Sequence, residues 1–283
     1  MEQFESTADI RNWSRERRRA GESIAFVPTM GALHAGHLSL VELAAGRADR
    51  VAVSIYVNPA QFGEGEDFER YPRDLERDRS RLEQVATDAL WTPRTEEIYP
   101  SDFSTWVIEE GLSQVLEGAA RPGHFRGVAT IVTRLLTAVE PDLLVLGEKD
   151  AQQAALLRRV VRDLGFAVEV VTGPTVREAD GLALSSRNAY LSPTQRKQAV
   201  CLSEALRRAA ELVAGGEREA TAVIAAMRAR IEREPDARID YLAVVDPESF
   251  QPLEHIGAVA RICLAVFVDT IRLIDTQLLK REG

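Results

Sequence analysis

The chain alternates short apolar runs with longer stretches in which apolar residues recur every three to four positions. The short runs predict buried β-strands, and the longer stretches predict amphipathic helices. The predicted strands lie at residues 24–27, 51–57, 89–91, 105–108, 143–146 and 168–171, with helical patterns at 74–86, 128–139 and 151–164. Because strands that alternate with helices form parallel sheets, we expect an α/β fold with a Rossmann-like, doubly wound parallel sheet.

The pattern changes after Gly173-Pro174. Ser192-Pro193 predicts the start of a long helix that ends near Gly215, because Ser and Pro favour helix starts and Gly favours stops. A helix at 220–233 and strands at 239–245, 261–268 and 271–274 follow. We therefore expect two domains. Residues 1–175 form the ligand-binding domain, and residues 176–283 form a second, smaller α+β C-terminal domain that acts as a lid.

Composition and charge narrow the functional classes. Of the 283 residues, 45% are hydrophobic and 28% are charged, which excludes collagen-like and wholly disordered chains. A net charge of −9 argues against nucleic acid as the main partner. Two cysteines are too few for a disulfide framework, and the sequence has no leader pattern and no apolar run of ~18 residues. We expect a cytoplasmic protein that does not enter a membrane.

The most informative segment is Phe26-Val-Pro-Thr-Met-Gly-Ala-Leu-His-Ala-Gly-His37, in which a predicted strand turns through Gly31 into a helix. His34 and His37 are three positions apart, so they share one face of the first helical turn, beside unpaired backbone N–H groups. Such a helix start suits a phosphate, and Gly36 has no Cβ to keep a ligand from the backbone. The alternatives are two incidental surface histidines and, less favoured, a zinc site, for which no further ligands stand nearby in the sequence.

Two further polar segments offer groups that suit a nucleotide. Gly147-Glu-Lys-Asp150 follows a predicted strand; Lys149 suits a triphosphate, and Asp150 suits a ribose hydroxyl or a hydrated Mg²⁺. Glu178-Ala-Asp-Gly-Leu-Ala-Leu-Ser-Ser-Arg187-Asn presents hydroxyls and a guanidinium, which suit phosphate oxygens. An ordinary charged turn and a polar linker are the alternative interpretations, and neither segment decides between them alone.

Two other loops carry polar groups, Tyr56-Val-Asn-Pro-Ala-Gln-Phe62 and Arg121-Pro-Gly-His-Phe-Arg126. Gln61 offers an amide donor and acceptor to a small polar substrate. Arg121, His124 and Arg126 predict a local basic patch, with ordinary solvated surface as the alternative.

Together these segments resemble the pantothenate synthetase (pantoate–β-alanine ligase) family, within the nucleotidyltransferase superfamily. PTMGALHAGH is similar to the family's His-x-Gly-His signature. NPAQFGEGEDFERYPRDLERD, RPGHFRGVAT, LGEKDAQQ and VREADGLALSSRNAYL are similar to its other blocks in the same order, so the resemblance covers residues from about 20 to 195. One departure is Leu184, where the family often has Met, a side chain of similar size and polarity.

The resemblance implies that ATP and pantoate form pantoyl adenylate and pyrophosphate, after which β-alanine displaces AMP to give pantothenate. It also implies Mg²⁺ with ATP, and a homodimer. The implied catalytic residues, with His37 as the proton donor, are His34, His37, Lys149 and Arg187. The implied ATP-binding residues are Met30, Gly31, Ala32, Leu33, His34, Ala35, Gly36, His37, Gly147, Glu148, Lys149, Asp150, Val176, Leu184, Ser185, Ser186 and Arg187.

The same resemblance implies that Gln61 and Gln153 bind pantoate. It also implies that Gln61 later contacts β-alanine. Asp78, Arg121 and His124 match family positions near the phosphates and the metal, so Asp78 is the predicted metal ligand.

Two alternatives stay open at this point. One is another adenylyltransferase or a truncated relative of the aminoacyl-tRNA synthetases, against which the net charge and the missing room for an anticodon-binding region argue. The other is a regulatory module that binds nucleotide without turnover, against which the intact His34, His37, Lys149 and Arg187 argue.

Overall fold

A computed structural model describes residues 1–280, so residues 281–283 of the predicted second domain lie outside the described part. The chain divides into two compact units. The first comprises Met1–Glu148 and Gln152–Pro174, and the second comprises Lys149–Ala151 and the chain from Thr175 onward. Within residues 1–280, no helix is both long enough and apolar enough to cross a membrane.

The first unit contains a six-stranded sheet. Its strands are β1 (Glu2–Phe4), β2 (Ile24–Thr29), β3 (Arg50–Ile55), β4 (Ala89–Trp91), β5 (Leu143–Gly147) and β6 (Glu169–Gly173). They lie in the order β1-β4-β3-β2-β5-β6, and every neighbouring pair is parallel. The predicted parallel α/β sheet is confirmed, and β2 lies at the point where the strand order reverses direction.

Helices connect these strands. They are α1 (Thr7–Arg19), α2 (Ala35–Ala45), α3 (Leu75–Leu82), α4 (Thr95–Ile98), α5 (Glu117–Ala120), α6 (His124–Val139) and α7 (Ala151–Asp163). Leu40 and Val41 of α2 are buried in one cluster with Ala25 and Val27 of β2, which explains why the central strand is apolar along its length. Helix α6 ends at Val139, and its capping residue Glu140 takes a left-handed φ of 48° directly before Pro141.

Two strand predictions in this unit differ from the structure. Residues 105–108 have no regular secondary structure and pair with no strand of residues 1–280. Val107 N–H instead donates to Thr130 Oγ1 at 3.0 Å, while Trp106 and Ile108 stay exposed. Conversely, β1 escapes prediction because only three residues pair with β4 and none of them is fully buried.

The second unit is α+β, as predicted. Strands β7 (Ala237–Val245), β8 (Val259–Val268) and β9 (Ile271–Lys280) form an antiparallel sheet in that order. Its helices are α8 (Pro193–Ala199), α9 (Cys201–Ala214) and α10 (Ala220–Ile231), so the predicted long helix is divided at Val200. Leu202 and Leu206 of α9 share one buried cluster with Ile262 and Leu264 of β8. Ser192 caps α8, as the Ser-Pro signal predicts.

Helix α6 approaches the turn that follows β3 at backbone distance. A Cβ on Gly127 would lie 2.2 Å from the carbonyl oxygen of Ala60 and 2.6 Å from the nitrogen of Gln61. The Gly127 carbonyl also accepts a hydrogen bond from Asn58 Nδ2 at 3.2 Å. The φ of Gly127 is not in the left-handed region, so its backbone conformation does not demand glycine. The close approach of the Ala60–Gln61 backbone does.

We expect Gly127→Ala to lower the free energy of unfolding by about 2 kcal/mol or more. Alanine gains about 1 kcal/mol of helix propensity, but the overlap forces a backbone shift and weakens a buried hydrogen bond, each worth about 1–3 kcal/mol. Gly46→Ala is the matched control, because its Cβ would stand 3.6 Å from the nearest atom. Urea unfolding that gives both variants the same stability would contradict this packing argument.

Candidate active site

The loop from β2 to α2 lies at the carboxyl edge of the sheet, where the strand order reverses. Strand β2 pairs with β3 on one side and β5 on the other, so the ends of β2 and β5, at Thr29 and Gly147, lie at the same edge. In open α/β sheets this crevice is where ligands bind. The predicted residues Met30 to His37 and Gly147 are therefore placed at the expected ligand-binding edge.

The loop turns sharply through two consecutive left-handed residues. Gly31 has a φ of 79° and Ala32 a φ of 49°, and the second is unfavourable for a residue with a Cβ. A Cβ on Gly31 would lie 2.9 Å from Asp78 Oδ2 and 3.1 Å from Ile55 Cγ2. Gly31 is therefore required both for its φ and for the close approach of Asp78.

Asp78, on α3, holds this turn. Its Oδ2 accepts from Ala32 N–H at 2.8 Å, and its Oδ1 accepts from Leu33 N–H at 2.7 Å. The side chain is buried, and burial raises the pKa of Asp78 above its ordinary value although the two N–H groups act in the opposite direction. Arg81, one turn further along α3, donates to the Leu33 carbonyl. Asp78 is thus a structural anchor of the loop, a role that its sequence position did not indicate.

The predicted metal role of Asp78 stays a prediction. Both of its carboxylate oxygens already accept backbone hydrogen bonds. Among residues 1–280, no three His, Cys, Asp or Glu side chains are grouped as a metal site.

His34 and His37 stand together at the start of α2. His34 is the N-cap residue and His37 lies three positions later, with 4.1 Å between ring centroids. The His34 N–H donates to His37 Nδ1 at 3.3 Å. Because Nδ1 accepts, the neutral His37 ring carries its proton on Nε2, which is the arrangement that a donor to a ligand oxygen requires.

Gln61 ends a 3₁₀ turn, Pro59–Gln61, that follows β3. Its Oε1 accepts from Asn58 Nδ2 at 3.0 Å, and its Nε2 donates to the Met30 sulfur at 2.9 Å. Asn58 is almost completely buried, and its Oδ1 accepts from the Tyr99 hydroxyl at 2.8 Å. Asn58 therefore fixes the orientation of the Gln61 amide. Neither Asn58 nor Tyr99 is among the site residues predicted from the sequence, although the Asn-Pro turn was a signal for Asn58.

A second network holds the backbone of Gln61. Arg121 donates to both carboxylate oxygens of Glu66, Nε at 2.7 Å and the terminal nitrogen at 2.6 Å, and lies 3.1 Å from His124 Nε2. His124 Nδ1 lies 2.8 Å from the Gln61 carbonyl oxygen. Burial, followed by the charge of Arg121, lowers the pKa of His124 to about 4. The neutral ring therefore donates from Nδ1 to Gln61 and accepts at Nε2 from Arg121.

The predicted basic patch is therefore wrong. Glu66 neutralises Arg121 and His124 is uncharged at neutral pH, so of the three predicted side chains only the exposed Arg126, over the Trp106 ring at 4.7 Å, still contributes positive charge. The sequence showed three basic side chains close together, but the partner carboxylate of Glu66 stands 55 positions away from Arg121.

The two glutamines at the start of α7 have different surroundings. Gln152 is buried; its Nε2 donates to the carbonyls of Leu112 and Val115, both at 2.8 Å, and its Oε1 accepts from Glu117 N–H. Gln153 is half-buried, and no hydrogen bond holds its amide within residues 1–280. The structure thus leaves the predicted ligand Gln153, and not its neighbour, with an unengaged amide.

Of the other predicted residues, Glu148 ends the first stretch of the first unit, and the rest belong to the second unit. Residues 176–184 form a short hairpin in which Leu184 N–H donates to the Val176 carbonyl at 3.0 Å. Ser185 Oγ accepts from Arg187 N–H at 3.3 Å at the start of a 3₁₀ turn, Ser186–Tyr190. Lys149 and Asp150 lie in the turn after β5, with 3.5 Å between Nζ and Oδ1.

The comparison with known families agrees with the resemblance seen in the sequence. The family model described as pantoate-beta-alanine ligase matches residues 2–278. The chain belongs to the pantoate–β-alanine ligase family. It is therefore a ligase, and its product is pantothenate. This family assignment separates the chain from the truncated synthetase-like proteins considered above.

Named relatives cover almost the whole chain. The pantothenate synthetase of Moorella thermoacetica is 51% identical over 280 residues, 99% of each chain, and that of Chloroflexus aurantiacus is 53% identical over 95% of this chain and 96% of its own. The crystal structure of pantothenate synthetase from Thermus thermophilus is similar at a TM-score of 0.93, with 48% identity over 98% and 99% of the two chains.

A pantoate-beta-alanine ligase from Francisella tularensis, complexed with beta-gamma ATP and beta-alanine, is similar at a TM-score of 0.82. It is 33% identical and covers 100% of this chain and 99% of its own.

The pKa of His124 generates a pH prediction for this ligase. An unfolded histidine, with a pKa near 6.5, binds a proton between pH 4 and 6.5 that folded His124 does not bind. The free energy of unfolding should therefore fall by about 2–3 kcal/mol as pH is lowered from 6.5 to 4.5. Burial acts to raise the pKa of Glu66, but Arg121 outweighs it and lowers that pKa, so Glu66 contributes a further loss only below about pH 4.5.

Chemical denaturation at several pH values tests this. His124→Gln should flatten the slope between pH 4.5 and 6.5, whereas His255→Gln, at an exposed histidine, should keep it. Equal slopes in the wild type and the His124 variant would contradict the neutral, buried state of His124.

Proposed function

We propose that this ligase forms pantothenate in two steps at one site, first pantoyl adenylate and pyrophosphate from ATP and pantoate, then pantothenate and AMP after attack by β-alanine. The observation that carries the proposal is the loop of residues 30–37, in which a turn anchored by Asp78 delivers His34 and His37 to the start of α2 at the strand-order reversal. The ATP and beta-alanine bound by the Francisella relative support the same substrates here.

In the first step a pantoate carboxylate oxygen attacks the α-phosphorus of ATP, and the bond from that phosphorus to the bridging oxygen breaks. The electron pair leaves with pyrophosphate, so negative charge grows on the leaving group. His37 donates a hydrogen bond from Nε2, and Lys149 supplies a positive charge, at the phosphate oxygens. Donors that are already oriented toward growing charge stabilise the transition state without a reorganisation cost.

Gln61 and Gln153 orient pantoate for that attack. Asn58 holds Gln61 Oε1, so the Gln61 amide presents a fixed donor and acceptor pattern, while the unengaged Gln153 amide supplies a second polar contact. Alignment of the carboxylate with the α-phosphorus is a large part of what such a site contributes.

In the second step the β-alanine nitrogen attacks the carbonyl carbon of the adenylate, and the bond from that carbon to the AMP oxygen breaks. The amine loses a proton as the amide forms. An acyl adenylate reacts readily with water, so we assign to residues 176–283 the lid that excludes water. The homodimer and the cytoplasmic location stay predictions from the sequence.

Mg²⁺ fits this proposal as a partner of ATP and not as an ion in a protein cage. Mg²⁺ usually keeps several waters and binds substrate phosphates with only one or two carboxylates. Of the two carboxylates that the sequence offered for this ion, Asp150 is 44% exposed, whereas both oxygens of Asp78 already accept backbone hydrogen bonds, so Asp150 is the better suited of the two to the hydrated ion.

Isotope transfer tests the intermediate. Pantoate labelled with ¹⁸O in its carboxylate should pass one label to AMP, because the attacking oxygen stays on the phosphorus when β-alanine displaces AMP. AMP and pyrophosphate should form in equal amounts with pantothenate. ADP and phosphate as products, or unlabelled AMP, would exclude the adenylate route, and ATP binding without turnover would favour a regulatory module.

We expect His37→Ala and Lys149→Ala each to lower pantoate-dependent pyrophosphate release by roughly 10²–10³, because each removes a donor to the leaving group. His255→Ala and Lys197→Ala are the matched controls, since both side chains are exposed, and they should keep wild-type rates. Near-wild-type release by folded variants at positions 37 and 149, with folding verified by circular dichroism, would exclude their assigned roles.

Gln61→Ala and Gln153→Ala should weaken the use of pantoate more than the binding of ATP. The loss of a buried polar contact is worth about 1–3 kcal/mol, or roughly 5- to 150-fold in kcat/KM for pantoate. Gln251→Ala, at an exposed glutamine, is the control. If the ATP affinity collapses and pantoate saturation is unchanged, the two glutamines contact the nucleotide instead.

A further inference from the structure

The hairpin of residues 176–184 is joined to the C-terminal sheet by an ion pair with a buried carboxylate. Glu178 N–H donates to the Leu182 carbonyl at 2.9 Å and Gly181 N–H donates to the Glu178 carbonyl at 2.8 Å, which closes a tight turn with a φ of 92° at Gly181. Arg177 stands at the start of this turn, directly after Val176. The hairpin leads into the Leu184–Arg187 segment that the proposed function assigns to ATP.

Arg177 binds Asp275 of β9 with two hydrogen bonds. One terminal nitrogen donates to Asp275 Oδ2 at 2.6 Å and the other donates to Oδ1 at 3.0 Å. The first nitrogen also donates to the Gly181 carbonyl at 3.1 Å, so the guanidinium joins the sheet to the tip of the hairpin. The planar fork of arginine permits all three contacts at once, and a lysine would not.

Burial makes this pair different from the other charged contacts of the hairpin. The Asp275 side chain is 1% exposed, and its Oδ1 also accepts from Thr276 N–H at 2.8 Å. Arg196 binds Glu178 and Asp180 as well, but these two carboxylates are 37% and 45% exposed. Exposed pairs contribute little, whereas a two-pronged pair with a buried carboxylate restricts geometry strongly. The orientation of the hairpin therefore depends mainly on Arg177 and Asp275.

The ordered hairpin is connected directly to the segment that would meet the nucleotide. Asn188 Nδ2 donates to the Ala183 carbonyl at 3.0 Å and to Glu178 Oε1 at 3.2 Å, and Asn188 N–H donates to the Ser185 carbonyl at 3.0 Å. These contacts close the turn that carries Ser185 to Arg187 onto the hairpin. A hairpin that shifts at its base must therefore carry this turn with it.

We propose that Arg177 and Asp275 are positioning residues for ATP, which act by holding the hairpin so that Leu184 to Arg187 stand in the geometry that the nucleotide needs. This inference rests on the proposed function, since it assumes that the segment binds ATP. Neither residue needs to touch the substrate. The pair orders the segment before the nucleotide arrives, so that less conformational entropy is lost on binding.

Steady-state kinetics of the full-length enzyme test the proposal with Asp275→Asn and Arg177→Lys. We expect kcat/KM for ATP to fall about tenfold in both variants, while kcat/KM for β-alanine changes less than twofold. Arg177→Lys is included because it keeps the positive charge beside the buried carboxylate, and it therefore decides the question if Asp275→Asn does not fold.

A second Arg–Asp pair in the same sheet provides the matched control. Arg272 of β9 donates from two nitrogens to Asp240 Oδ2 of β7, at 3.0 and 2.8 Å. Asp240→Asn and Arg272→Lys should lower the melting temperature without a selective loss in kcat/KM for ATP. If the control pair and the Arg177–Asp275 pair affect both substrates equally, the role of Arg177 and Asp275 is only structural and the proposal is wrong.

Hydrogen exchange without nucleotide separates this inference from the proposed function. Amides of residues 182–188 should exchange at least tenfold faster in Asp275→Asn or Arg177→Lys than in the wild type, and at the wild-type rate in the control variants. Unchanged exchange would overturn the positioning role. A wild-type enzyme that makes pantothenate without ATP would instead overturn the proposed function, whatever the exchange rates.

Discussion

The β2–α2 loop depends on the hydrogen bonds of one buried carboxylate. Asp78 accepts from two consecutive backbone N–H groups, those of Ala32 and Leu33, immediately after the left-handed Gly31. A left-handed residue with a Cβ costs roughly 1–2 kcal/mol, and a buried carboxylate is costly unless it is hydrogen bonded. The hydrogen bonds between Asp78 and the loop offset both the left-handed conformation of Ala32 and the burial of the carboxylate. The turn that they hold places His34 and His37 at the start of α2.

Around Gln61, buried neutral polar groups are likewise stabilised by hydrogen bonds to one another. Asn58 uses its amide to join Gln61, Tyr99 and the backbone of α6, and His124 stays uncharged so that it donates to the Gln61 carbonyl. Burial raises the pKa of Tyr99, so its hydroxyl keeps the proton that it donates to Asn58. Satisfied buried polar groups of this kind specify one arrangement, because any other arrangement leaves a donor or acceptor without a partner.

Each unit thus holds one of its loops with a carboxylate that lies far away in the sequence. Asp78 stands 46 positions after Ala32, and Asp275 stands 98 positions after Arg177. In each case the anchor lies on regular secondary structure, α3 or β9, and the held segment is a loop. Loops are more mobile than the elements that they connect, and a rigid element that holds a loop fixes its geometry precisely.

The sequence alone determined most of the strands and helices and the blocks of the family, because apolar periodicity and turn residues act over a few neighbouring positions. It therefore predicted the parallel sheet, the α+β second unit and the segments around His37, Gln61 and Arg187. It could not determine the contacts of Asp78, Asn58 and Asp275, or the neutral state of His124, and it wrongly predicted a strand at residues 105–108. These contacts and this protonation state depend on which groups distant in the sequence approach each other and on how completely water is excluded from them. Only the tertiary structure decides the approach of those groups and the exclusion of water.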